Sequence, residues 1–166
     1  MRLPALIPVA LVVTLLAACS GPAPRPLTST GTISQAPLAV SEQGNEVALY
    51  ALGLIDTGYR FGGKNPDAGL DCSGMVSYVF DQSVNLKLKG SAADIARRGR
   101  IVDIAYIQPG DLVFFNTMNK PLSHVGIYIG EGRFIHAPSS KGKVRIDSLA
   151  KGWFAPRLEE VRSYFD

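Results

Sequence analysis

Cysteine and histidine are scarce in this chain of 166 residues, which has two of each. So few cysteines exclude a disulfide-rich scaffold. Charge is scarce as well, since charged residues make up 19% of the chain and the formal net charge is +3. So mild a charge gives no ground to expect nucleic acid as a partner. The sequence also lacks internal repeats, and residues 42–166 predict one domain with one hydrophobic core.

The N-terminal apolar run is too short for a membrane-spanning helix, and it has the features of a secretory signal peptide. A basic start at Met1–Arg2 precedes a mostly apolar run, and small residues end it at Ala18. The ending Leu16–Cys19 resembles the lipobox of bacterial lipoproteins. This resemblance implies a signal peptide at 1–18 and a lipidated Cys19 that anchors the protein to a membrane. The alternative is an ordinary signal peptide that contains a cysteine.

The segment after Cys19 is rich in proline, glycine, serine and threonine. Such a composition cannot bury enough apolar surface to fold, so residues 19–41 are expected to form a lipid-bearing flexible tether. Ser20 stands where, by resemblance to lipoproteins of diderm bacteria, an aspartate would retain the protein at the inner membrane. We therefore expect an exported, lipid-anchored protein on the outer membrane, facing the periplasm.

Cys72 is the residue that points most directly to function. The apolar residues that follow it have helical spacing: Met75, Val76, Val79 and Phe80. This spacing predicts an amphipathic helix with the thiol in its first turn, on the side that packs inward. A helix N-terminus carries partial positive charge, which favours a thiolate, the nucleophile of acyl transfer. Together with the two downstream histidines, His124 and His136, the pattern predicts a cysteine peptidase.

The rest of the domain predicts helices first and strands afterwards. The first helix is expected to end near Asp56, the Cys72 helix is the second, and a third begins at Ser91 with a capping-box pattern. Strands are predicted at 111–115, 124–129, 133–136 and 143–146. This order predicts an α+β fold in which N-terminal helices pack on a central antiparallel sheet.

The two histidines are predicted to meet across a hairpin. If Gly130–Gly132 forms the loop, Ile129 lies opposite Arg133 and the two imidazoles share one face of the sheet. His124 and His136 are then diagonal neighbours, about 7–8 Å apart at the backbone. An even loop length would place them on opposite faces, so a loop of three residues, or of another odd number, is predicted.

These residues suggest a mechanism. His124 is predicted to take the thiol proton and later to protonate the leaving amine. His136 is predicted to hydrogen-bond the far nitrogen of His124 and to hold its tautomer. Backbone N–H groups at the start of the Cys72 helix are candidates for the oxyanion hole. Asp71 could cap the helix or act as a charge that disfavours the thiolate. We favour capping together with contact to a substrate amine.

Five segments, in this order, carry a family resemblance: YRFGG at 59–63, DCSG at 71–74, PGDLVFF at 109–115, SHVGIYIG at 123–130 and FIHA at 134–137. They resemble the NlpC family of cell-wall endopeptidases, and the similarity spans nearly all of residues 45–166. It implies a papain-like α+β fold and hydrolysis of peptidoglycan stem peptides, typically between D-isoglutamate and meso-diaminopimelate or lysine. It also implies that Cys72 is the nucleophile, His124 the base and His136 the orienting residue.

The resemblance extends to three neighbours of the thiol. Tyr59 is implied to lie beside the thiol, with its hydroxyl near the oxyanion site or the substrate. Asp71 and Ser73 are implied to line the pocket that accepts the amino end of the stem peptide. No cofactor and no metal are implied. The sequence contains no accessory wall-binding domain, so the lipid anchor is expected to substitute for it, and a regulatory protein partner is left open.

Three other functions are compatible with the same residues. Cys72, His124 and His136 could ligate zinc, although a structural zinc site normally has four ligands. The domain could instead bind the cell wall without hydrolysing it. It could also transfer an acyl group to an amine through the same thioester.

Overall fold

The computed structural model describes residues 41–139 and 142–165 of the chain. The predicted signal peptide at 1–18, the lipidation site Cys19 and nearly all of the tether at 19–41 lie outside these described residues. None of the described helices combines the length and the apolar character needed to cross a membrane.

Helices precede the main sheet along the chain, as predicted. In chain order the elements are α1 (Glu42–Leu52), β1 (Lys64–Asn65), β2 (Gly69–Leu70), α2 (Cys72–Val84), α3 (Ala92–Ala96), β3 (Arg100–Val102), β4 (Leu112–Phe115), β5 (His124–Gly130), β6 (Arg133–His136), β7 (Arg145–Ser148) and β8 (Leu158–Ser163). Short 3₁₀ helices lie at Ile104–Tyr106 and Ala155–Arg157. The predicted α+β class is confirmed.

Helix α1 is shorter than predicted. It begins at the N-cap Ser41, whose hydroxyl accepts a hydrogen bond from the Gly44 N–H, and it ends at Leu52 rather than near Asp56. The apolar pattern continues past Leu52 because the next residues form tight turns, in which the Leu54 N–H donates to the Ala51 carbonyl. Asp56 has a φ of 70°, in the left-handed region, so the helix cannot continue through it.

Six strands form one antiparallel sheet in the order β3-β8-β4-β5-β6-β7. Strands β3 and β8 were not predicted, although β8 lies between β3 and β4. The last predicted strand, 143–146, is displaced by two residues, to Arg145–Ser148. The reason is that Val144 bonds the segment after α1 instead, with its N–H donating to the Thr57 carbonyl at 2.9 Å.

The β5–β6 hairpin differs from the predicted three-residue loop. Gly130, not Ile129, lies opposite Arg133, so the loop contains two residues, Glu131 and Gly132. Both loop residues have positive φ, 54° and 66°, as the tightest hairpin turns require. A β-bulge at Ile129 adds one unpaired residue to β5. Beyond the bulge the strands have the predicted pairing, with Tyr128 opposite Phe134. His124 and His136 therefore still share one face of the sheet.

Apolar side chains cover both faces of the sheet. One face packs against the three helices, with Val125 and Ile127 of β5 buried among residues of α1 and α2. The opposite face holds a second cluster: Val113, Phe115, Tyr128, Phe134, Phe154 and Val161. The predicted alternation along β5 is therefore present, and it carries the two histidines on the face of the second cluster.

Candidate active site

Asp71 positions the start of α2. One carboxylate oxygen accepts hydrogen bonds from the Gly74 N–H at 2.6 Å and from the Ser73 hydroxyl at 3.0 Å. The other oxygen accepts from the Gly62 N–H at 2.8 Å. A Cβ added at Gly74 would lie 1.8 Å from the Gly63 carbonyl oxygen, so only glycine allows this close approach. The predicted capping role of Asp71 is therefore present, and Asp71 also holds the 59–63 loop against the helix.

The Cys72 thiol lies at the first position of α2, beside the start of β5. Burial raises its pKa to about 11, and the negative charge of Asp71 adds to this effect. Backbone hydrogen bonds from Val125, Ser73 and Cys72 itself act in the opposite direction but do not outweigh burial. Burial therefore opposes the effect expected of the helix N-terminus, and the raised pKa favours the thiol form at neutral pH.

His124 and His136 are hydrogen-bonded to each other. The Nε2 of His124 lies 2.8 Å from the Nδ1 of His136, and the two rings are perpendicular, at 89°. The neighbouring Gly126 leaves the space for this contact, since a Cβ there would lie 2.6 Å from the Phe134 ring and 3.3 Å from the His136 Cβ. The free base position of His124 is consequently its Nδ1.

Both imidazoles are neutral at neutral pH. Phe115, Phe134 and Phe154 surround them, with the Phe154 ring centroid 4.5 Å from that of His136. Burial lowers the pKa of His124 to about 3, and the charge of a protonated neighbour at His136 would lower it further. Burial also lowers the pKa of His136 to about 4, against the opposing effect of a hydrogen bond to Asp147. Both rings are therefore unprotonated at neutral pH, and burial opposes their protonation.

A cavity of about 820 Å³ opens over the thiol. Every site residue predicted from the sequence within the described range lines it, except His136, which is fully buried behind His124. These lining residues are Tyr59, Asp71, Cys72, Ser73 and His124. Burial raises the pKa of the Tyr59 phenol, and the charges of Asp71 and of a Cys72 thiolate act in the same direction, so Tyr59 stays protonated and can donate a hydrogen bond. Cys19 lies outside the described residues.

Sequence reasoning missed two groups that the structure adds to the site. Asp147 accepts a hydrogen bond from the His136 Nε2 at 2.9 Å, and Arg145 pairs with the same carboxylate while it lines the cavity. Arg145 and Asp147 are two residues apart and therefore lie on one face of β7, and this spacing was the available signal. It was missed because the predicted strand ended at residue 146. Exposed apolar side chains also rim the cavity without having been predicted: Phe61, Met118 and Trp153.

The zinc alternative meets a geometric obstacle. The ring nitrogens of His124 and His136 that face each other are engaged in a hydrogen bond at 2.8 Å. Within residues 41–139 and 142–165, no three histidine, cysteine or acidic side chains are grouped so that they could hold a metal ion.

Fold and site together define a papain-like α+β domain with a cysteine at a helix start and a pair of histidines on adjacent strands. A sequence profile of the NlpC/P60 family matches residues 56–163, and the chain belongs to this family.

Two bacterial hydrolases are similar in sequence to this chain. The chain is 41% identical over 111 residues to the gamma-DL-glutamyl hydrolase of Bacillus subtilis (strain 168), which covers 66% of this chain and 27% of that protein. It is 32% identical over 130 residues to the murein DD-endopeptidase MepH of Escherichia coli (strain K12), covering 76% of this chain and 48% of MepH. The chain thus spans between about a quarter and a half of the length of these relatives.

Solved structures show the same fold. The crystal structure of the NlpC/p60 domain of the peptidoglycan hydrolase SagA superposes with a TM-score of 0.64 at 32% sequence identity. The superposition covers 72% of this chain and 97% of the SagA domain. The predicted papain-like architecture is therefore confirmed.

Proposed function

We propose that this protein is a cysteine endopeptidase that hydrolyses the stem peptides of peptidoglycan. The observation that carries the proposal is the Cys72 thiol on the same cavity as His124, with His136 bonded behind it. Such a nucleophile, base and orienting group is the arrangement that acyl transfer through a thioester needs. The name of one relative, a murein endopeptidase, and the description of SagA as a peptidoglycan hydrolase support peptidoglycan as the substrate.

In the acylation step, the Cys72 sulfur attacks the carbonyl carbon of the scissile amide. The thiol proton passes to Nδ1 of His124 during this attack, because the resting site holds a thiol and a neutral imidazole. The tetrahedral oxyanion then collapses and the C–N bond breaks. The leaving amine takes the proton from His124, and the acyl group remains on sulfur as a thioester.

In the deacylation step, a water molecule attacks the thioester carbonyl while His124 takes its proton. The C–S bond breaks, the acyl group leaves as a carboxylic acid, and the proton returns to the sulfur of Cys72. Backbone N–H groups of Cys72 and Ser73, at the positive end of α2, are suited to stabilise the oxyanion in both steps. The protonated Tyr59 phenol on the same cavity is a further candidate donor.

For the bond cleaved, we propose the amide between D-isoglutamate and the diamino acid, meso-diaminopimelate or lysine. The glutamyl hydrolase among the relatives supports this choice, whereas the name of MepH indicates a DD bond. Asp71 and Ser73 line the cavity, so an anionic carboxylate is available to receive the free amine at the start of a stem peptide. Recognition of that amine favours cleavage near the amino end of the stem.

A digestion assay tests this proposal. The purified chain and its Cys72→Ala variant are incubated with intact peptidoglycan, free stem tetrapeptides and crosslinked muropeptide dimers, and the products are identified by mass. We expect cleavage after D-isoglutamate by the wild-type chain and none by the variant. Conversion of dimers to intact monomers would assign the DD bond instead. Absence of cleavage by folded protein with a reduced thiol would favour a wall-binding role, and a product joined to an added amine would favour acyl transfer.

We also propose that the protein is exported and anchored by lipid on Cys19, on the periplasmic face of the outer membrane of a diderm bacterium. The ending Leu16–Cys19 and the serine that follows it support this location. Labelled palmitate is expected to enter the wild-type protein and the Cys72→Ala variant but not a Cys19→Ser variant. Because the chain has two cysteines, these variants control for each other. Label in the Cys19 variant, or a soluble wild-type protein, would contradict the anchor.

A further inference from the structure

A carboxylate lies behind the histidine pair. On the antiparallel β6–β7 ladder, Asp147 pairs with Phe134 and lies diagonal to His136. One carboxylate oxygen of Asp147, Oδ2, lies 2.9 Å from Nε2 of His136. The hydrogen-bonded series therefore crosses three neighbouring strands, from His124 on β5 through His136 on β6 to Asp147 on β7.

Arg145 fixes the position of this carboxylate. Its Nε and Nη2 donate to the same Oδ2 of Asp147, at 3.1 and 2.9 Å. The Asp147 side chain is 30% exposed and that of His136 is 0% exposed, so the pair joins a buried ring to a partly solvated anion. Two nitrogens of Arg145 and one of His136 thus contact the same carboxylate oxygen, and they hold the carboxylate in a single orientation toward the ring.

The donor and acceptor pattern determines the tautomers of both rings. A carboxylate oxygen only accepts, so Nε2 of His136 must carry the hydrogen. In a neutral ring the Nδ1 of His136 is then unprotonated and accepts from Nε2 of His124. The Nε2 of His124 therefore carries its hydrogen, which leaves the lone pair on Nδ1. This is the nitrogen that must take the Cys72 proton.

The opposite tautomer series would disable the base. If His136 carried its hydrogen on Nδ1, it would donate to Nε2 of His124, and the neutral His124 would carry its hydrogen on Nδ1. A protonated Nδ1 cannot accept the thiol proton. The two series have the same number of hydrogen bonds between the rings, so the contact beyond His136 decides between them.

We propose that Asp147 is a positioning residue that sets the tautomer of both imidazoles, with Arg145 holding its carboxylate toward His136. The structural part of this inference stands on the hydrogen bonds alone, and its consequence for catalysis rests on the proposed function. The hydrogen bond and the charge of Asp147 favour the protonated form of His136, whereas the charge of Arg145 disfavours protonation of both rings.

Histidine NMR tests the tautomers without any need for activity. The full chain has two histidines, so untagged protein labelled with ¹⁵N in histidine gives four ring-nitrogen signals, two from each ring. The spectrum is recorded at about pH 7.5, where both rings are neutral. We expect the hydrogen on Nε2 in both rings of the wild-type protein. A hydrogen on Nδ1 of either ring in the wild-type spectrum would overturn the proposal.

Variants of Asp147 separate a positioning role from a merely structural one. Asp147→Leu removes the acceptor, and we expect the hydrogen on Nδ1 of both rings in most molecules. Because only the remaining minority then has a working base, we expect a loss of kcat of about tenfold or more with little change in KM. Asp147→Asn keeps an acceptor, because Arg145 selects the amide oxygen. We expect it to retain the wild-type tautomers and to lose less kcat than Asp147→Leu does.

Glu131→Gln is the control, since Glu131 also forms an ion pair with an arginine two residues away, Arg133, but at a more exposed position. It should leave both readouts unchanged. Wild-type tautomers and kcat in a folded Asp147→Leu variant would overturn the proposal. If the wild-type protein cleaves no peptidoglycan, the proposed function fails while the NMR result still decides the tautomer assignment.

Discussion

The two buried histidines should make the fold sensitive to mild acid. In the unfolded chain a histidine has a pKa near 6.5. In the fold, burial lowers the pKa of His124 to about 3 and that of His136 to about 4. As pH falls below 6.5, the two histidines therefore become protonated in the unfolded state but stay neutral in the folded state. The stabilising contribution of the neutral rings is fully present above pH 6.5 and is lost progressively between that pH and the folded-state pKa values.

The expected magnitude follows from linkage. At pH 5, each histidine reduces the free energy of unfolding by about 2 kcal/mol relative to pH 7.5, or about 4 kcal/mol for the pair. Both rings are less than 5% exposed, so solvent screening reduces this figure little. Asp111 acts in the opposite sense, because burial raises its pKa. Its contribution cancels when variants are compared.

Urea unfolding at a series of pH values measures this effect. For the wild-type chain we expect the free energy of unfolding to fall steeply between pH 6.5 and 5. For His124→Gln the slope should be about half as steep, because one titrating ring remains. A wild-type free energy that is constant from pH 7.5 to 5, or equal slopes in the two proteins, would refute the assignment of two buried neutral imidazoles.

Three further predictions concern the neighbours of the histidine pair. Gly126→Ala should lose activity and about 1–3 kcal/mol of stability, because the added Cβ meets the Phe134 ring at 2.6 Å; wild-type thermal unfolding and turnover would contradict this. Alkylation of Cys72 by iodoacetamide should be slow at neutral pH and accelerate toward alkaline pH, since burial raises the thiol pKa to about 11; a plateau reached below pH 7 would indicate a preformed thiolate. Asp71→Ala should lose about 1–2 kcal/mol of stability with its helix cap. It should also alkylate faster than the wild-type protein at one fixed pH, because the Asp71 charge raises the thiol pKa; an unchanged rate would count against that charge effect.

Local sequence signals were sufficient for the helices that carry the thiol and its surroundings. The cap at Asp71 and the apolar spacing after Cys72 depend on neighbours within four residues, and the structure has α2 where they predict it. The same holds for the capping box at Ser91. These elements are specified by short-range contacts, which a sequence displays directly.

Contacts that depend on pairing between strands far apart in the sequence could not be predicted in the same way. Strand β8 has two adjacent glutamates and an arginine in the sequence LEEVRS, so its apolar alternation is weak, although neighbours on both sides pair with it. Asp147 was missed because its approach to His136 depends on the register of β7. The prediction that both histidines lie on one face of the sheet was correct. It assumed a three-residue loop, whereas the hairpin has a two-residue turn and a bulge.

The most direct test of the central claim is to trap the thioester. The chain is incubated with a stem tripeptide, L-alanyl-γ-D-glutamyl-diamino acid, in the presence of hydroxylamine, and products are identified by mass. We expect the free diamino acid together with a hydroxamate on the γ-carboxyl of D-glutamate, and neither product with Cys72→Ala. An intact peptide in the presence of folded, reduced wild-type protein, or the same products from the Cys72 variant, would contradict the claim.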